Sequence, residues 1–544
     1  MTMFHSLMDS WKGGAGKSSR REWFRRWSAL SLPALLPGRA SAAPAAAGKL
    51  RLAKDIYESI GVRPFINARG TYTILSGSLM LPEVRAAMSE AAQHYVHLDE
   101  LMEAVGARLA ELTQAEWGMV SSGCAAALTH ATAACVAGGN PDLHVRIPNL
   151  QGFARDEVII PGHSRNVYDA AVRAVGVRVI EVETPEELEA ALGPRTAMIY
   201  ILAGPQADES SLNTRVICGL ARKHKVPVLV DAAAEILTIP NVHLAAGADL
   251  VGYSGGKCIR GPQTAGLLLG RKDLVRAAWV HSAPHHGFAR AMKVGKEEVM
   301  GMLMAVEMWV QRDHQAEWNQ WHSWLDHIAR RVSSIEGVTT EVLEPKGLSN
   351  RTPNLAVRWD RSRIGVTGRA VAQSLLEGDP RVANLGAVSG KSPTETGVLL
   401  NPYMMSAGDE KVVAERLYAL LAAAPKGVAE EELKPPSGDI SGSWEVEIEF
   451  AAGRSRHMLQ LRQQGNRVEG SHQGDFLTRD LSGTIQGDAV RLSSTVTERH
   501  GDSLSYEFSG KRTGSDELGG TLDMGEYLKA RWTARRRAIR SRRG

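Results

Sequence analysis

The sequence predicts an α/β fold followed by a small all-β domain, and two patterns carry this prediction. From Asp55 to about Gly427, apolar strand-like runs such as 197–202 and 226–230 alternate with helical patterns, which is typical of a mostly parallel sheet covered by helices. From Trp444 onwards, apolar and polar residues alternate between glycine-containing turns, which favours an antiparallel barrel or curled sheet of about 100 residues. We therefore expect an α/β unit with a β-barrel-like, lipocalin-like domain after it.

Changes in composition along the chain predict where its domains begin and end. We expect a leader in 1–50, a large domain in 51–310, a smaller lobe in 311–425, a linker rich in Glu, Pro and Gly in 426–438, the β domain in 439–534 and a basic tail in 535–544. Within the β domain, tight turns are predicted at Gly465-Asn466, Gly487-Asp488, Gly501-Asp502 and Gly519-Gly520.

The positive charge of the chain is concentrated at its two ends. The formal net charge is +4, but residues 1–50 and 535–544 carry +6 each, which leaves −8 for the body. An acidic body argues against a nucleic-acid-binding surface on the folded part. There is no run of about 18 apolar residues, so we expect no membrane-spanning helix. The four cysteines show no CxxC spacing, and we expect buried free thiols.

The leader has the order of an export signal. Basic residues that include Arg20-Arg21 precede a modest apolar run at 27–36, and a stretch of small residues follows at 40–47. An arginine pair followed by aromatic residues resembles a twin-arginine signal, which exports proteins that have already folded. We therefore expect export to the periplasm. A cytoplasmic protein with a basic leader is the alternative, because Pro33 interrupts the apolar run.

A lysine among glycines is the first candidate for chemistry. Lys257 follows a predicted strand in the segment Ser254-Gly255-Gly256-Lys257, where the missing side chains let the backbone approach a bound group. A lysine whose ammonium loses its proton can form a Schiff base. A surface turn would look the same, so this segment alone does not decide between the two.

Two further segments make this lysine part of a predicted cofactor site. Asp231 follows the apolar run 226–230, at the place where open α/β sheets bind ligands. Its carboxylate could hold a pyridinium nitrogen protonated while small Ala233 lets a ring lie flat, although an ordinary cap or ion pair is the alternative. Segment 119–128 turns through Ser122-Gly123 into an alanine-rich helix whose first amides suit a phosphate. A phosphate cup, an acid and a lysine in this order describe a pyridoxal-phosphate site.

Six ordered segments resemble one family of enzymes. They are 61–71 (GVRPFINARGT), 121–127 (SSGCAAA), 161–169 (PGHSRNVYD), 230–235 (VDAAAE), 254–257 (SGGK) and 290–298 (RAMKVGKEE). Over about residues 52 to 425 the chain is similar to the selenocysteine-synthase-like branch of fold-type-I pyridoxal-phosphate enzymes, which includes L-seryl-tRNA selenium transferase and D-glucosaminate-6-phosphate ammonia-lyase. The resemblance implies a large, mostly parallel-sheet domain, a small α/β lobe, pyridoxal 5'-phosphate as cofactor, and a homodimer or higher homo-oligomer.

The resemblance also implies which residues hold the cofactor. Lys257 resembles the lysine that bonds to it, Asp231 the partner of its ring nitrogen, and Ser254 a phosphate-binding serine. The other positions expected at the cofactor are Ser122, Gly123, Cys124, His163, Ala233 and Gln263. His163 takes the place of the ring-stacking aromatic, with a structural histidine as the alternative. Cys124 replaces a commoner alanine and is expected to use only its amide, and Gln263 is expected to reach a neighbouring subunit's cofactor.

Polar residues at the remaining motif positions are candidates for substrate binding. They are Asn67, Thr71, Arg165, Arg290 and Lys293. The three cations could receive a substrate carboxylate through charge-assisted hydrogen bonds, and each could equally be a phosphate or structural partner. The two N-terminal residues lie in a segment that resembles the family's active-site lid.

Two other clusters carry weaker signals. Three histidines at 281, 285 and 286 have no nearby carboxylate or cysteine to complete a ligand set, so we expect a loop at the mouth of the site and no metal. Three tryptophans recur at spacing three between 318 and 324 on a predicted helix, which favours a packing stripe over a cofactor-binding one.

The resemblance implies removal of the α-proton of an amino acid, and several reactions can follow. The acidic body and the short leader disfavour an aminoacyl-tRNA substrate, and export disfavours a phosphorylated sugar acid. We therefore expect a lyase of the ammonia-lyase or dehydratase kind, which acts by α,β-elimination on a hydroxylated amino acid or amino-sugar acid. The alternatives are an aminotransferase, racemase, aldolase or selenium-transferase-like enzyme, or a non-catalytic binding protein with the same fold.

Overall fold

The computed structural model describes residues 49–53, 55–390, 392, 394–427, 434–497 and 503–537. The chain divides into two units, the first ending at Pro64 and the second beginning at Phe65. In the first unit the described residues form the 3-10 helix Glu58–Ile60, which ends at Gly61 with a φ of 83°. Almost all of the predicted leader and residues 538–544 of the predicted tail lie outside the described residues.

The second unit is built around a seven-stranded sheet. Ahead of the linker its strands are, in chain order, β1 (Ile66–Ala68), β2 (Trp117–Ser121), β3 (Glu157–Pro161), β4 (Arg178–Val182), β5 (Thr196–Leu202), β6 (Val228–Asp231), β7 (Leu250–Ser254), β8 (Gly266–Gly270), β9 (Val338–Leu343), β10 (Asn354–Asp360), β11 (Val382–Asn384), β12 (Gly386–Ser389) and β13 (Glu395–Leu400). The large sheet has the order β2-β8-β7-β6-β5-β3-β4. Strands β3 to β7 run parallel, and β8 is antiparallel to β7 and β2.

Parallel pairing brings the carboxyl ends of the central strands to one edge of this sheet. Leu202 at the end of β5 lies opposite Asp231 at the end of β6, and Asp231 lies opposite Gly252 in β7. Every residue of β3 and β6 is buried, as expected when helices cover both faces of a parallel sheet. Any ligand of the carboxyl edge therefore meets the end of β6 from outside the sheet.

The α-helices connect these strands and cover the sheet. They are α1 (Pro82–Ala91), α2 (Leu98–Thr113), α3 (Cys124–Ala137), α4 (Pro141–His144), α5 (Ala170–Arg173), α6 (Pro185–Ala191), α7 (Pro205–Asp208), α8 (Thr214–His224), α9 (Val242–Ala246), α10 (Lys272–Val280), α11 (Lys296–Gln311), α12 (His314–Val332), α13 (Gly368–Glu377) and α14 (Asp409–Ala422). Short 3-10 helices occur at Thr73–Leu75, Gly162–Ser164, Val167–Asp169, Phe288–Met292 and Gly525–Tyr527. Helix α3 is buried almost throughout, because its small alanines let the sheet and neighbouring helices approach it closely.

A smaller lobe has its own sheet and its own core. Its strands pair in the antiparallel order β12-β13-β10-β9. Leu325 and Ile328 of α12 and Leu417 of α14 share one apolar core with Leu355 and Val357 of β10. The parallel pair formed by β1 and β11 places residues 66–68 beside this lobe. The prediction of an α/β fold with a large, mostly parallel sheet and a smaller lobe is confirmed.

After the linker, eight antiparallel strands close into a barrel. They are β14 (Gly442–Glu449), β15 (Arg454–Gln464), β16 (Arg467–Gln473), β17 (Thr478–Gln486), β18 (Ala489–Thr497), β19 (Ser503–Arg512), β20 (Glu517–Asp523) and β21 (Lys529–Arg536). Strand β21 pairs with β14 and so leaves no open edge. Inward and outward residues alternate, with Trp444, Val446 and Ile448 of β14 in the core. The predicted antiparallel barrel is confirmed.

One predicted turn of the barrel is wrong. Gly519 and Gly520 lie inside β20, where Gly520 is opposite Gly510 of β19. A Cβ on Gly510 would come within 2.7 Å of the Trp532 ring, so this glycine makes room for an indole in the core. The turns at 465–466 and 487–488 join strands as predicted, and the turn at 501–502 lies outside the described residues.

The predicted start of the basic tail is also wrong by two residues. Arg535 and Arg536 belong to β21, and the Arg536 guanidinium lies 4.6 Å from the centre of the Trp444 ring.

No helix in the described part of the chain is long and apolar enough to cross a membrane. The four cysteines are buried and free, as the sequence predicts.

Candidate active site

The carboxyl edge of the large sheet holds a buried carboxylate. Asp231, the last residue of β6, is 2% exposed. One of its oxygens accepts a hydrogen bond from the Tyr200 hydroxyl at 3.0 Å, and the other accepts from the Ala233 amide at 3.0 Å. The Cys124 Sγ lies 3.6 Å from that second oxygen. These donors are all neutral, so they hold the carboxylate in place without cancelling its charge.

Lys257 lies within electrostatic reach of this carboxylate. Burial raises the pKa of Asp231, while hydrogen bonds from Ala233 and Tyr200 and the charge of Lys257 oppose that rise. The pKa of the Cys124 thiol is also raised, first by burial and then by Asp231, and Lys257 again acts in the opposite direction. The lysine and the acid that are 26 positions apart in the sequence therefore face one site.

A tight turn after β7 positions Lys257. Its glycines pack against the chain itself: a Cβ on Gly255 would lie 2.7 Å from the Ala265 carbonyl oxygen, and one on Gly256 would lie 2.9 Å from the Gln263 Cα. Ser254 ends β7 and is half-buried. The sequence predicts that the missing side chains of these glycines leave space for a bound group. In the structure, residues 263–265 occupy that space, and their close packing fixes the turn.

Helix α3 begins beside this site without a side-chain cap. Gly123 precedes it with a φ of 90°, and no side chain of the described residues caps its first amides. A helix start of this kind presents free N–H groups and the positive end of the helix dipole to an anion. The Ser122 hydroxyl donates to the Met292 carbonyl at 2.8 Å, so it ties the helix start to the 3-10 helix Phe288–Met292. The start of α3 is therefore compatible with the predicted phosphate cup.

His163 follows β3 and has both ring nitrogens engaged. Its Nε2 lies 3.3 Å from the Leu212 carbonyl oxygen, and its Nδ1 lies 3.0 Å from the Ser164 hydroxyl. These contacts fix the orientation of the ring. They are compatible with a stacking role and with the structural alternative.

Arg165 is paired with acidic side chains. It contacts Asp169 at 2.6 Å and Glu181 at 2.8 Å, and Asp169 is fully buried. Two carboxylates compensate its charge, so the geometry favours the structural alternative over a contact with substrate. Arg290 and Lys293, in contrast, are exposed, and neither has an ion-pair partner among the described residues. They lie in and just after the 3-10 helix that Ser122 contacts, close to the predicted phosphate cup.

The segment that contains Asn67 and Thr71 leads to the lysine turn. Asn67 uses its own side chain to accept from the amides of Arg69 and Gly70, and Thr71 is buried. Gln263 donates to the Thr73 carbonyl at 3.3 Å. Further along, the Ser78 amide donates to the Gly256 carbonyl at 2.9 Å. Hydrogen bonds therefore connect the segment predicted to act as a lid with the turn that carries Lys257.

Sequence reasoning missed Tyr200 and did not foresee the contact made by the Cys124 thiol. Tyr200 donates to Asp231 and accepts from the Asn166 amide group at 3.1 Å. The sequence feature that could have indicated Tyr200 is its phenol within a buried strand, because a buried hydroxyl needs a hydrogen-bond partner. Cys124 is predicted to contribute only its amide, but its thiol contacts Asp231, because α3 packs close to β6 and β7.

A cavity of about 760 Å³ lies beside the loop that follows β6. Its lining includes Ile236, Leu237, Trp309, Arg312, Trp318, Trp321, Arg351 and Tyr403. Arg312 donates to the Cys258 carbonyl at 3.2 Å, which joins the cavity wall to the residue after Lys257. Two members of the predicted tryptophan stripe therefore line a cavity, and Trp324 packs against the core of the smaller lobe.

Of the three clustered histidines, His286 is exposed and His285 is half-buried, whereas His281 is not exposed at a site mouth. His281 is buried, with its Nδ1 2.8 Å from the Nδ1 of His144 and its Nε2 3.0 Å from the Gly138 carbonyl oxygen. Burial lowers its pKa to about 4, so it is a neutral packing residue at pH 7. Within the described ranges, no group of three or more His, Cys, Asp or Glu side chains could hold a metal ion.

These residues fit pyridoxal phosphate. The buried Asp231 carboxylate has hydrogen bonds but a raised pKa, and a protonated pyridine nitrogen would supply the missing positive charge. The uncapped start of α3 suits the phosphate, and Lys257 in its fixed turn is the group that would bond to the aldehyde carbon. The class that this fold and site define is the fold-type-I pyridoxal-phosphate-dependent enzymes.

Comparisons with known proteins give the family. A family model described as Cys/Met metabolism PLP-dependent enzyme matches residues 83–281. D-glucosaminate-6-phosphate ammonia lyase of Salmonella typhimurium is 30% identical over 67% of this chain and 97% of its own length. A solved structure of D-glucosaminate-6-phosphate ammonia-lyase matches 68% of this chain and 98% of its own with a TM-score of 0.60 and 29% identity.

Two further relatives are named for different activities. A 5'-C-glycyluridine monooxygenase-decarboxylase of Streptomyces sp is 30% identical over 68% of this chain and 94% of its own length. An L-seryl-tRNA(Sec) selenium transferase of Moorella thermoacetica is 29% identical over 58% of this chain and 69% of its own. The chain belongs to the fold-type-I family of pyridoxal-phosphate-dependent enzymes that contains these proteins, and its cofactor is pyridoxal 5'-phosphate.

Proposed function

We propose that this protein is a lyase that acts by α,β-elimination on a hydroxylated amino acid or amino-sugar acid. The observation that carries the proposal is that Lys257 lies within electrostatic reach of the buried Asp231 at the carboxyl edge of the large sheet. The similarity to D-glucosaminate-6-phosphate ammonia lyase supports elimination over the other reactions of the class.

The side chains of the site have distinct tasks in this reaction. Pyridoxal phosphate, when bound, withdraws electrons from the α-carbon of an amino acid. The neutral ε-amine of Lys257 removes the α-proton, and as an ammonium it protonates the departing β-hydroxyl. Asp231 supplies the negative charge that keeps a proton on a ring nitrogen placed against it, and Tyr200 and Ala233 hold that carboxylate still. The exposed Arg290 and Lys293 are the cations available to a substrate carboxylate.

An assay of products separates this proposal from the alternatives. Elimination of water followed by hydrolysis releases one ammonia and one keto acid per substrate, with no acceptor needed. We expect this from the holoenzyme with at least one member of a panel of D- and L-hydroxyamino acids and amino-sugar acids. Keto acid formed only when an acceptor keto acid is added would indicate an aminotransferase and exclude the lyase. A change of configuration without keto acid would indicate a racemase.

The product carbon skeleton tests the remaining alternatives. Cleavage between the α- and β-carbons, with an aldehyde as product, would indicate an aldolase. Loss of carbon dioxide with uptake of oxygen would indicate a reaction of the kind named for the Streptomyces relative. A holoenzyme that binds these amino acids but converts none of them would support the non-catalytic binding protein.

The assembly and the location of the protein are further parts of the proposal. We expect at least a homodimer, which light scattering would report as twice or more the chain mass of 58.8 kDa. We expect export through the pair Arg20-Arg21. The variant Arg20→Lys with Arg21→Lys should then keep the protein in the cytoplasm, and an unchanged location would contradict the twin-arginine interpretation.

A further inference from the structure

The barrel carries a buried polar cluster at one of its ends. Inward positions in the middle of the barrel are apolar, as at Leu459 and Leu481. At the end that bears the hairpin between β16 and β17, the inward positions are instead His457, His472, Arg479 and Ser494, and all four are buried. Strand register sets His472 directly opposite Arg479 and Leu481 opposite Ser494. These four residues, which we call the barrel-end cluster, therefore lie side by side under one rim.

The two histidines of the barrel-end cluster are neutral at pH 7, and the Nε2 of His457 has no hydrogen-bond partner among the described residues. The Nδ1 of His457 lies 2.8 Å from the Nε2 of His472, whose Nδ1 lies 2.9 Å from the Ser494 hydroxyl. Burial lowers the pKa of His457, although Asp475 on the rim, 3.6 Å from its Nε2, opposes this change. Burial lowers the pKa of His472 to about 3. The charge inside this end of the barrel at pH 7 therefore belongs to Arg479.

Two buried donors of Arg479 have no acceptor among the described residues. The residue is 8% exposed, and its Nε and Nη1 have no hydrogen-bond partner among the described residues. Its guanidinium lies 4.8 Å from the centre of the Tyr506 ring, and no described carboxylate comes within ion-pair distance of it. A buried cation without an acceptor costs free energy, and the planar guanidinium fork matches the oxygens of a carboxylate or phosphate.

The described part of the rim above the barrel-end cluster exposes several large apolar side chains and, beside them, the Asp475 carboxylate. Gly474 leaves space there, since a Cβ at this position would lie 3.0 Å from the Arg479 Nη1. Phe476, at the tip of the same hairpin, is 96% exposed, and Leu477, Tyr527 and Leu528 on this rim are also exposed. Large exposed apolar side chains around a charged floor are typical of a site for a ligand with an apolar body and an anionic group.

We propose that this end of the barrel binds an amphipathic organic anion. Its carboxylate or phosphate pairs with Arg479, and its apolar part lies against Phe476 and the neighbouring rim residues. The site is separate from the family's shared chemistry. The match to D-glucosaminate-6-phosphate ammonia lyase takes in 97% of that protein but only 67% of this chain, so about a third of the chain has no counterpart there.

Titration calorimetry on the full-length holoenzyme tests this proposal with defined probes. Decanoate and decyl phosphate present the two anionic groups on one apolar chain, decanol lacks the charge, and acetate lacks the chain. We expect one decanoate or decyl phosphate per barrel, the tighter of the two identifying the anionic group, and at least tenfold weaker binding of decanol and acetate. Arg479→Gln should weaken the binding at least tenfold. Arg491→Gln, which changes an exposed arginine of β18 near the opposite end, should not.

Several results would overturn the proposal. They are no binding of either anion by the wild type, equal binding by Arg479→Gln, or equal binding of decanol and decanoate. Because Arg479→Gln removes an unpaired buried charge, the variant should unfold thermally at the same or a higher temperature, as followed by circular dichroism. Phe476→Ser changes only an exposed side chain and keeps the test valid if Arg479→Gln does not fold. It should weaken decanoate binding several-fold, and unchanged affinity would contradict the apolar contact.

Discussion

Asp231 in the large sheet and Arg479 in the barrel are both buried charges, but their surroundings differ. The Asp231 carboxylate accepts from Tyr200 and from Ala233, and Lys257 lies within electrostatic reach. Two of the Arg479 guanidinium nitrogens lack an acceptor among the described residues. Hydrogen bonds fix the Asp231 carboxylate before any ligand binds, whereas the Arg479 charge has no compensating carboxylate among the described residues.

Burying a charge costs free energy, and the two regions differ in how the surrounding groups offset that cost. At the sheet edge, neutral donors fix the direction of the carboxylate and leave its negative charge available to a cationic group. In the barrel, the Nε and Nη1 of Arg479 have no acceptor in the part of the chain that the structure describes, so we propose that a ligand supplies one. Substitutions at the sheet edge should therefore change reaction rate, and the substitution at Arg479 should change binding.

The largest effect is expected from Asp231→Asn. The amide cannot keep a proton on the ring nitrogen, so we expect the turnover number to fall by about 10²- to 10³-fold while the cofactor stays bound through Lys257. Steady-state keto-acid release measures this. Asp326→Asn, which changes an exposed carboxylate on α12, is the control. Turnover of Asp231→Asn within twofold of the wild type would remove Asp231 from the mechanism.

Arg165→Gln should reduce stability and leave substrate affinity unchanged. It leaves the fully buried Asp169 carboxylate with Arg173 as its remaining ion-pair partner, at an expected cost of about 3 kcal/mol in the free energy of unfolding. Arg173→Gln is the matched control, because this arginine contacts the same carboxylate from a more exposed position and should cost less. Urea unfolding measures both. A stable Arg165→Gln enzyme with a strongly raised KM would show instead that Arg165 binds substrate.

Glu317 beside the 760 Å³ cavity should make stability depend on pH in acid. Burial would raise its pKa, but hydrogen bonds from His314 and Arg312 outweigh this and lower it to about 2. A lowered pKa means that the stabilisation is complete above the ordinary value of 4.5 and is lost as the pH falls from there towards 2.

Glu317→Gln should therefore be less stable than the wild type by about 2 kcal/mol at pH 6, and the difference should disappear near pH 2. Urea unfolding at several pH values measures the difference. Glu336→Gln removes an exposed carboxylate and is the control. A difference that does not change with pH would contradict the assigned ion pair.

The smallest effect is expected from Tyr200→Phe. It removes one of the donors to Asp231 and leaves the other in place, so we expect turnover to fall by about tenfold, or roughly 1 to 1.5 kcal/mol. Tyr253→Phe is the matched control, because this buried hydroxyl bonds to Asn241 instead of Asp231. Equal effects of the two variants would mean that Tyr200 acts through packing alone.

The sequence predicts the parts of this molecule that depend on local pattern. Alternation of strand and helix predicts the large sheet, and period-two alternation predicts the barrel. The positions of Lys257 and Asp231 follow because Asp231 ends the buried strand β6, Lys257 lies in the turn after β7, and parallel strands end at a common edge.

Contacts between distant parts of the chain cannot be predicted in this way. Tyr200 and the Cys124 thiol reach Asp231 only because β5, α3 and β6 pack together. The pairing of Arg165 with Glu181 depends on β3 and β4 lying side by side. The Gly519-Gly520 pair is predicted as a turn, but Gly520 lies inside β20 opposite Gly510, and the Trp532 ring occupies the space beside Gly510.

The absorption spectrum of the purified full-length protein tests the central claim most directly. After incubation with pyridoxal phosphate and removal of the excess, the wild type should show the band of the cofactor bound to a lysine. Lys257→Ala should lose this band and keep its circular dichroism, and Lys223→Ala, which changes an exposed lysine of α8, should retain the band. No band in the wild type, or an unchanged band in Lys257→Ala, would contradict the assignment of Lys257 and Asp231 as the centre of the active site.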